Sequence, residues 1–66
     1  MSADNQMNVE EIRGKWHVWM QLGDKYYKPD GSFHRVFKNR EEAIDYAEYV
    51  CNTDIVEYGI HMVRRG

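Results

Sequence analysis

The chain has 66 residues, a formal net charge of −2 at pH 7 and a single cysteine. That length allows one domain, and a chain this short hides only about 60% of its unfolded surface on folding. One cysteine excludes an intrachain disulfide, and no apolar run approaches the roughly 18 residues of a membrane span. Because the polar N-terminus also lacks the apolar stretch of a signal peptide, we expect a cytoplasmic protein without membrane contact.

Residues 1–14 are expected to be a flexible or short-helical segment, followed by a single α+β domain at residues 15–66. Val9 to Arg13 fit one helical turn that Gly14 would end. A helix this short is marginal without packing.

From Lys15 onwards apolar residues occur at every second position, so the predicted sheet begins there. Residues 16, 18, 20 and 22 are apolar and would share one face of a strand, opposite Lys15, His17, Trp19 and Gln21. Gly23-Asp24 favours a hairpin turn into a second strand at residues 25–28. The sequence Lys28-Pro29-Asp30-Gly31 then predicts another turn, followed by a third strand at residues 32–37.

A helix is predicted from Asn39, because Asn39 and Glu42 have the spacing of a capping box. The apolar stripe of this helix comprises Ala43, Ile44, Ala47, Val50 and Cys51. Residues 55–65 alternate again and predict a last strand. The expected fold is an antiparallel sheet of three to four strands with one helix packed on one face, in the order β-β-β-α-β.

No catalytic or metal-binding pattern is evident. His17, His34 and His61 belong to three different predicted strands and lack the short spacing of metal ligands. Cys51 lies on the apolar stripe of the helix, where a small buried hydrophobe is more plausible than a nucleophile. We therefore expect no enzyme, no metal site and no cofactor.

The sheet face opposite the helix is the predicted binding surface. It would carry Lys15, His17, Trp19, Gln21 and His61. Trp19 is the anchor, because an exposed tryptophan costs solubility unless something covers it. Three possibilities remain for what covers the Trp19 side chain: the N-terminal segment through Val9 and Ile12, a second copy of the chain, or a different partner.

The sequence also resembles a known family of small domains. Trp16 precedes Asp30-Gly31 and then the run Phe37-Lys38-Asn39-Arg40-Glu41-Glu42-Ala43. Over residues 15–50 this pattern is similar to the three-strand-plus-helix domains of arm-type integrase N-termini and AP2-like DNA-binding proteins. The resemblance implies a sheet laid in the major groove of DNA. The residues that would contact the DNA are Lys15, His17, Trp19, Lys25, Tyr27 and Arg35.

Two functions therefore remain open. The first is a non-catalytic protein-interaction module with an accessory or regulatory role, which self-associates as a homodimer through the sheet face or an edge. The alternative is a small DNA-binding domain, favoured by the net charge of +3 on residues 15–38 and disfavoured by the negative total.

Overall fold

The computed structural model describes residues 5–23, 33–53, 56 and 58–64. The fold is α+β, with a four-stranded sheet and one helix in the order β-β-β-α-β. The strands are β1 (Asn5–Ile12), β2 (Lys15–Leu22), β3 (Arg35–Phe37) and β4 (Ile60–Met62), and the helix is α1 (Arg40–Thr53). Across the sheet the strand order is β3-β2-β1-β4. The predicted class and element order are confirmed, although some strands arise from other residues than expected.

The N-terminal segment is the main correction. Residues 5–12 are neither flexible nor helical but form the long strand β1. All eight of its residues pair with β2, from Asn5 opposite Leu22 to Ile12 opposite Lys15. The two strands meet at Arg13-Gly14, where both residues have positive φ, 52° and 80°. That geometry is the two-residue type I′ turn, whose twist matches that of a hairpin.

The strand β2 lies where the sequence placed it, and its alternation of faces is confirmed. Its neighbour β3 is shorter than predicted, since only Arg35–Phe37 pair with Trp16–Val18. Arg35 and Phe37 share the face of Val18 and Trp16, whereas Val36 lies opposite His17 on the other face. The predicted strand at residues 25–28 and the turn at residues 28–31 lie outside the described residues.

The last strand, β4, makes the sheet mixed rather than fully antiparallel. Ile60–Met62 pair in parallel with Met7–Val9. Flanking backbone bonds extend this contact, with Met7 N donating to the Gly59 carbonyl and Val63 N to the Val9 carbonyl, both at 2.8 Å. The antiparallel pairing expected from the sequence is therefore confirmed for β3, β2 and β1, but it is wrong for β4. Of the predicted strand at residues 55–65, Ile60–Met62 form β4, while residues 55, 57 and 65 lie outside the described residues.

The helix packs on one face of the sheet. Asn39 caps it as predicted, because its Oδ1 accepts a hydrogen bond from Glu42 N at 2.8 Å. The buried core joins the two elements and consists of Met7, Val9, Val18, Ala43, Ala47 and Val50. Alanine at two successive turns lets the helix backbone approach the strands closely. Trp16, Phe37, Ile60 and Met62 pack around this core.

Candidate functional site

The predicted binding surface is the sheet face opposite α1, called here the far face. Lys15, His17, Trp19 and Gln21 do share it, since the core residues Val18 and Met20 alternate with them on β2. His61 belongs to it too, because His61 pairs with Asn8 on β1 and Asn8 pairs with Trp19. The sequence therefore placed all five residues on one face correctly.

The exposure expected for Trp19 is wrong. Its side chain is only 1% exposed, so it offers no surface to a partner. Val9 does not cover it, as one alternative held, because residues 5–12 pair beside β2 and Val9 packs in the core on the helix side. The indole Nε1 is buried and has no hydrogen-bond partner among the described residues. Trp19 is thus a structural side chain and not a docking anchor.

Buried amides occupy the centre of the far face. Asn8 is fully buried and donates from Nδ2 to Gln21 Oε1 at 2.7 Å. Gln6 Nε2 donates to Asn8 Oδ1 at 2.8 Å, and Gln21 Nε2 donates to the Gly23 carbonyl at 2.7 Å. This chain of hydrogen bonds joins β1 to β2 and supplies partners for polar groups that would otherwise be costly to bury. Gln21 is therefore also structural.

Two histidines meet at the β3 side of the far face. His17 Nδ1 lies 3.1 Å from His34 Nε2, and the ring centroids are 5.3 Å apart with an angle of 20° between planes. Burial is the main cause that lowers the pKa of His17, and the neighbouring His34 lowers it further. In the part of the chain that the structure describes, no group of three or more histidine, cysteine or acidic residues could hold a metal ion.

The residues proposed to read DNA do not form one surface. Arg35 lies on the helix side of the sheet, where its guanidinium is 5.9 Å from the ring centre of Tyr46. Lys15 is exposed on the far face and Trp19 is buried. Lys25 and Tyr27 lie outside the described residues. Among those described, the set implied by the DNA-binding resemblance is thus divided between two faces.

Cys51 is partly buried and packs against the core, as its place on the apolar stripe predicts. Burial raises the pKa of its thiol, and the carboxylate of Glu48 raises it further. A thiol with a raised pKa stays protonated at neutral pH and is a poor nucleophile. The acidic side chains Glu41, Glu42, Asp45 and Glu48 are all exposed on the solvent side of α1.

The outer edge of β4 is formed by uncharged residues. Gly59 and Val63, which flank β4, form backbone hydrogen bonds with β1. The backbone N–H and C=O groups of odd-numbered residues here therefore point towards β1. Because strand residues alternate, the N–H and C=O groups of Ile60 and Met62 point away from the sheet. His61 is exposed at the middle of this edge, and Tyr58 beside it is 61% exposed.

A pocket of about 550 Å³ lies at the end of the sheet where β1 turns into β2. Three arginines line it from separate places in the chain: Arg13 in the turn, Arg40 at the start of α1 and Arg64 after β4. Its other lining residues are Glu10, Glu11, Ile12, Trp16, Met62 and Val63. Sequence reasoning missed this arginine pocket, because Arg13, Arg40 and Arg64 are far apart along the chain and form no motif.

Comparison with protein-family models, with curated proteins and with solved structures finds no match to this chain. The resemblance to arm-type integrase and AP2-like domains therefore rests on the quoted residues alone. Any function has to be inferred from the chain's own geometry.

Proposed function

We propose that this protein is a non-catalytic interaction module that self-associates through the outer edge of β4. The observation that carries the proposal is the row of outward-pointing backbone groups on Ile60 and Met62, in an edge strand without a charged side chain. Exposed strand edges pair readily with another chain, and proteins commonly block them with lysine, proline or very short strands. Among the described residues, the short length of β4 and the exposed Arg64 beyond its end oppose pairing.

A second copy fits this edge because the strand is self-complementary. In an antiparallel pair centred on His61, Ile60 of one copy lies opposite Met62 of the other. Each such pair exchanges two backbone hydrogen bonds. Both side chains already pack against the core on the helix side, so the pairing would join the two cores into one apolar layer. The two His61 side chains would meet on the far face.

The opposite edge of the sheet is less suited to self-association. Arg35 lies within β3 and Lys38 follows it, while Lys15 is exposed on the neighbouring strand. Two copies placed edge to edge there would bring like charges together, which is unfavourable. On β3 itself, Phe37 packs against the core, and exposed Val36 is the apolar side chain that would favour such contact.

The test is light scattering on the full chain over a concentration range of about 10 μM to about 1 mM, which suits a short interface. The wild type should change from monomer to dimer. His61→Glu should remain monomeric, because it places two carboxylates opposite each other at the centre of the pair. Val36→Glu, at the other edge, is the matched control and should dimerise as the wild type does.

A wild-type chain that stays monomeric throughout this range would refute self-association. A dimer that survives His61→Glu but is lost in Val36→Glu would refute the assignment to β4. Circular dichroism of each variant establishes that the fold is retained, since both substituted side chains are exposed.

A further inference from the structure

We infer that the arginine pocket binds a small oxyanion, a phosphate or a carboxylate, that is attached to a flat apolar ring. This proposal goes beyond self-association: the pocket lies at the end of the sheet, and of the β4 residues Met62 alone lines it. A volume of about 550 Å³ lies within the roughly 300–1,000 Å³ of ordinary ligand sites. A second pocket, of about 260 Å³, lies beside Lys15, Val36 and Phe37.

The charges of the pocket point to an anion. Three arginines line it against two glutamates, Glu10 and Glu11, so its lining carries a net positive charge. In the described structure no ion pair joins Arg13, Arg40 or Arg64 to a carboxylate. Their donors are therefore available to a ligand. Guanidinium is planar and binds phosphate or carboxylate oxygens through two parallel hydrogen bonds, so convergent arginines favour this ligand class over a neutral one.

The remaining walls are apolar and would hold the ring. Trp16 is half-buried at the edge of the core, and Met62 and Ile12 are also only partly exposed. An indole stacks on flat rings, and a thioether sulfur makes favourable contacts with them. A bare inorganic anion would leave this surface unused.

The backbone at Arg13 supports a role for its side chain. Its φ of 52° lies in the left-handed region, where asparagine or glycine is preferred at this position of a type I′ turn. Arginine has no conformational advantage there. Strained non-glycine residues of this kind cluster at binding sites. Arg13 is one of three arginines that line the pocket, whereas Phe33, with φ of 61°, is a second such residue that lies outside it.

The experiment is a titration of ¹⁵N-labelled full chain with three probes at low salt: a nucleoside monophosphate, an aromatic carboxylate and inorganic phosphate. At least one ring-bearing anion should shift the amide signals of residues 10–16, 40 and 62–64, and should bind more tightly than phosphate. Arg40→Gln and Arg64→Gln should each weaken it about tenfold, as expected for loss of one charged hydrogen-bonding group. Arg35→Gln, an exposed arginine outside the pocket, is the matched control and should leave the affinity unchanged.

Three results would overturn the inference. The first is no shift of these signals with either ring-bearing anion. The second is an equal loss of affinity in Arg35→Gln and in the pocket variants, which would show only general charge attraction. The third is binding of the corresponding nucleoside, which lacks the phosphate, as tightly as the nucleoside monophosphate. The spectrum of each variant also reports whether its fold is intact.

Discussion

The turn at Arg13-Gly14 allows a quantitative prediction. Replacing Arg13 with asparagine should stabilise the protein, because asparagine adopts positive φ several-fold more often than other non-glycine residues. That preference corresponds to about 0.5–1 kcal/mol in the free energy of unfolding. In a domain of this size, about 1 kcal/mol moves the melting temperature by roughly 4–8 °C, so we expect a rise of about 2–8 °C.

The assay is thermal and urea unfolding followed by the fluorescence of Trp16 and Trp19, which are half-buried and buried. Gly14→Ala is the matched control in the same turn. A Cβ at Gly14 would meet no atom within 4 Å, so its effect comes from the backbone alone. With φ at 80°, alanine should cost about 1 kcal/mol.

The opposite pattern would refute this reasoning. If Arg13→Asn lowers the melting temperature while Gly14→Ala leaves it unchanged, positive φ does not limit the stability of this hairpin. If the arginine pocket binds its ligand as inferred, Arg13→Asn should also bind more weakly while being more stable, since the two effects have separate origins.

Two further predictions concern the far face. Asn8→Ala should lower the free energy of unfolding by about 1–3 kcal/mol, because it leaves buried Gln21 Oε1 without its donor; a change below about 0.5 kcal/mol in urea unfolding would contradict this. The pKa of His17 in the folded state is lowered from 6.5. His17 therefore contributes to the free energy of unfolding above pH 6.5, and this contribution is lost as the pH falls through the lowered pKa. Urea midpoints between about pH 7.5 and pH 5 should therefore fall more steeply in the wild type than in His17→Gln, and parallel curves would exclude this role for His17.

The elements that could be predicted are those whose signal is local. The helix has a cap at Asn39 and apolar residues at a period of 3.6, and both are determined within one stretch of sequence. The strand β2 alternates over eight residues with one face apolar. For the same reason the residues of β2 were assigned to the correct faces.

The strand β1 was missed because its pattern depends on neighbours that are distant in sequence. Met7 and Val9 do alternate, but Asn8 and Glu10 between them are buried polar residues. Their polarity suggested an exposed segment, and Gly14 suggested the end of a helical turn. In the structure the polar side chain of Asn8 finds a partner on β2, which the sequence of β1 alone could not reveal. The burial of Trp19 and the convergence of three arginines are likewise properties of the tertiary structure.

The parallel pairing of β1 with β4 affects how the protein is made. Of the described strands, β1 is synthesised first, lies inside the sheet and acquires its second neighbour from residues 60–62, after β2, β3 and α1 have been synthesised. Its hairpin with β2 forms from adjacent sequence and so is quick to close, whereas the contact with β4 joins distant parts of the chain and is slower. Until then Met7 and Val9 lie at an open edge, and a nascent chain that pauses before Ile60 exposes them to other chains.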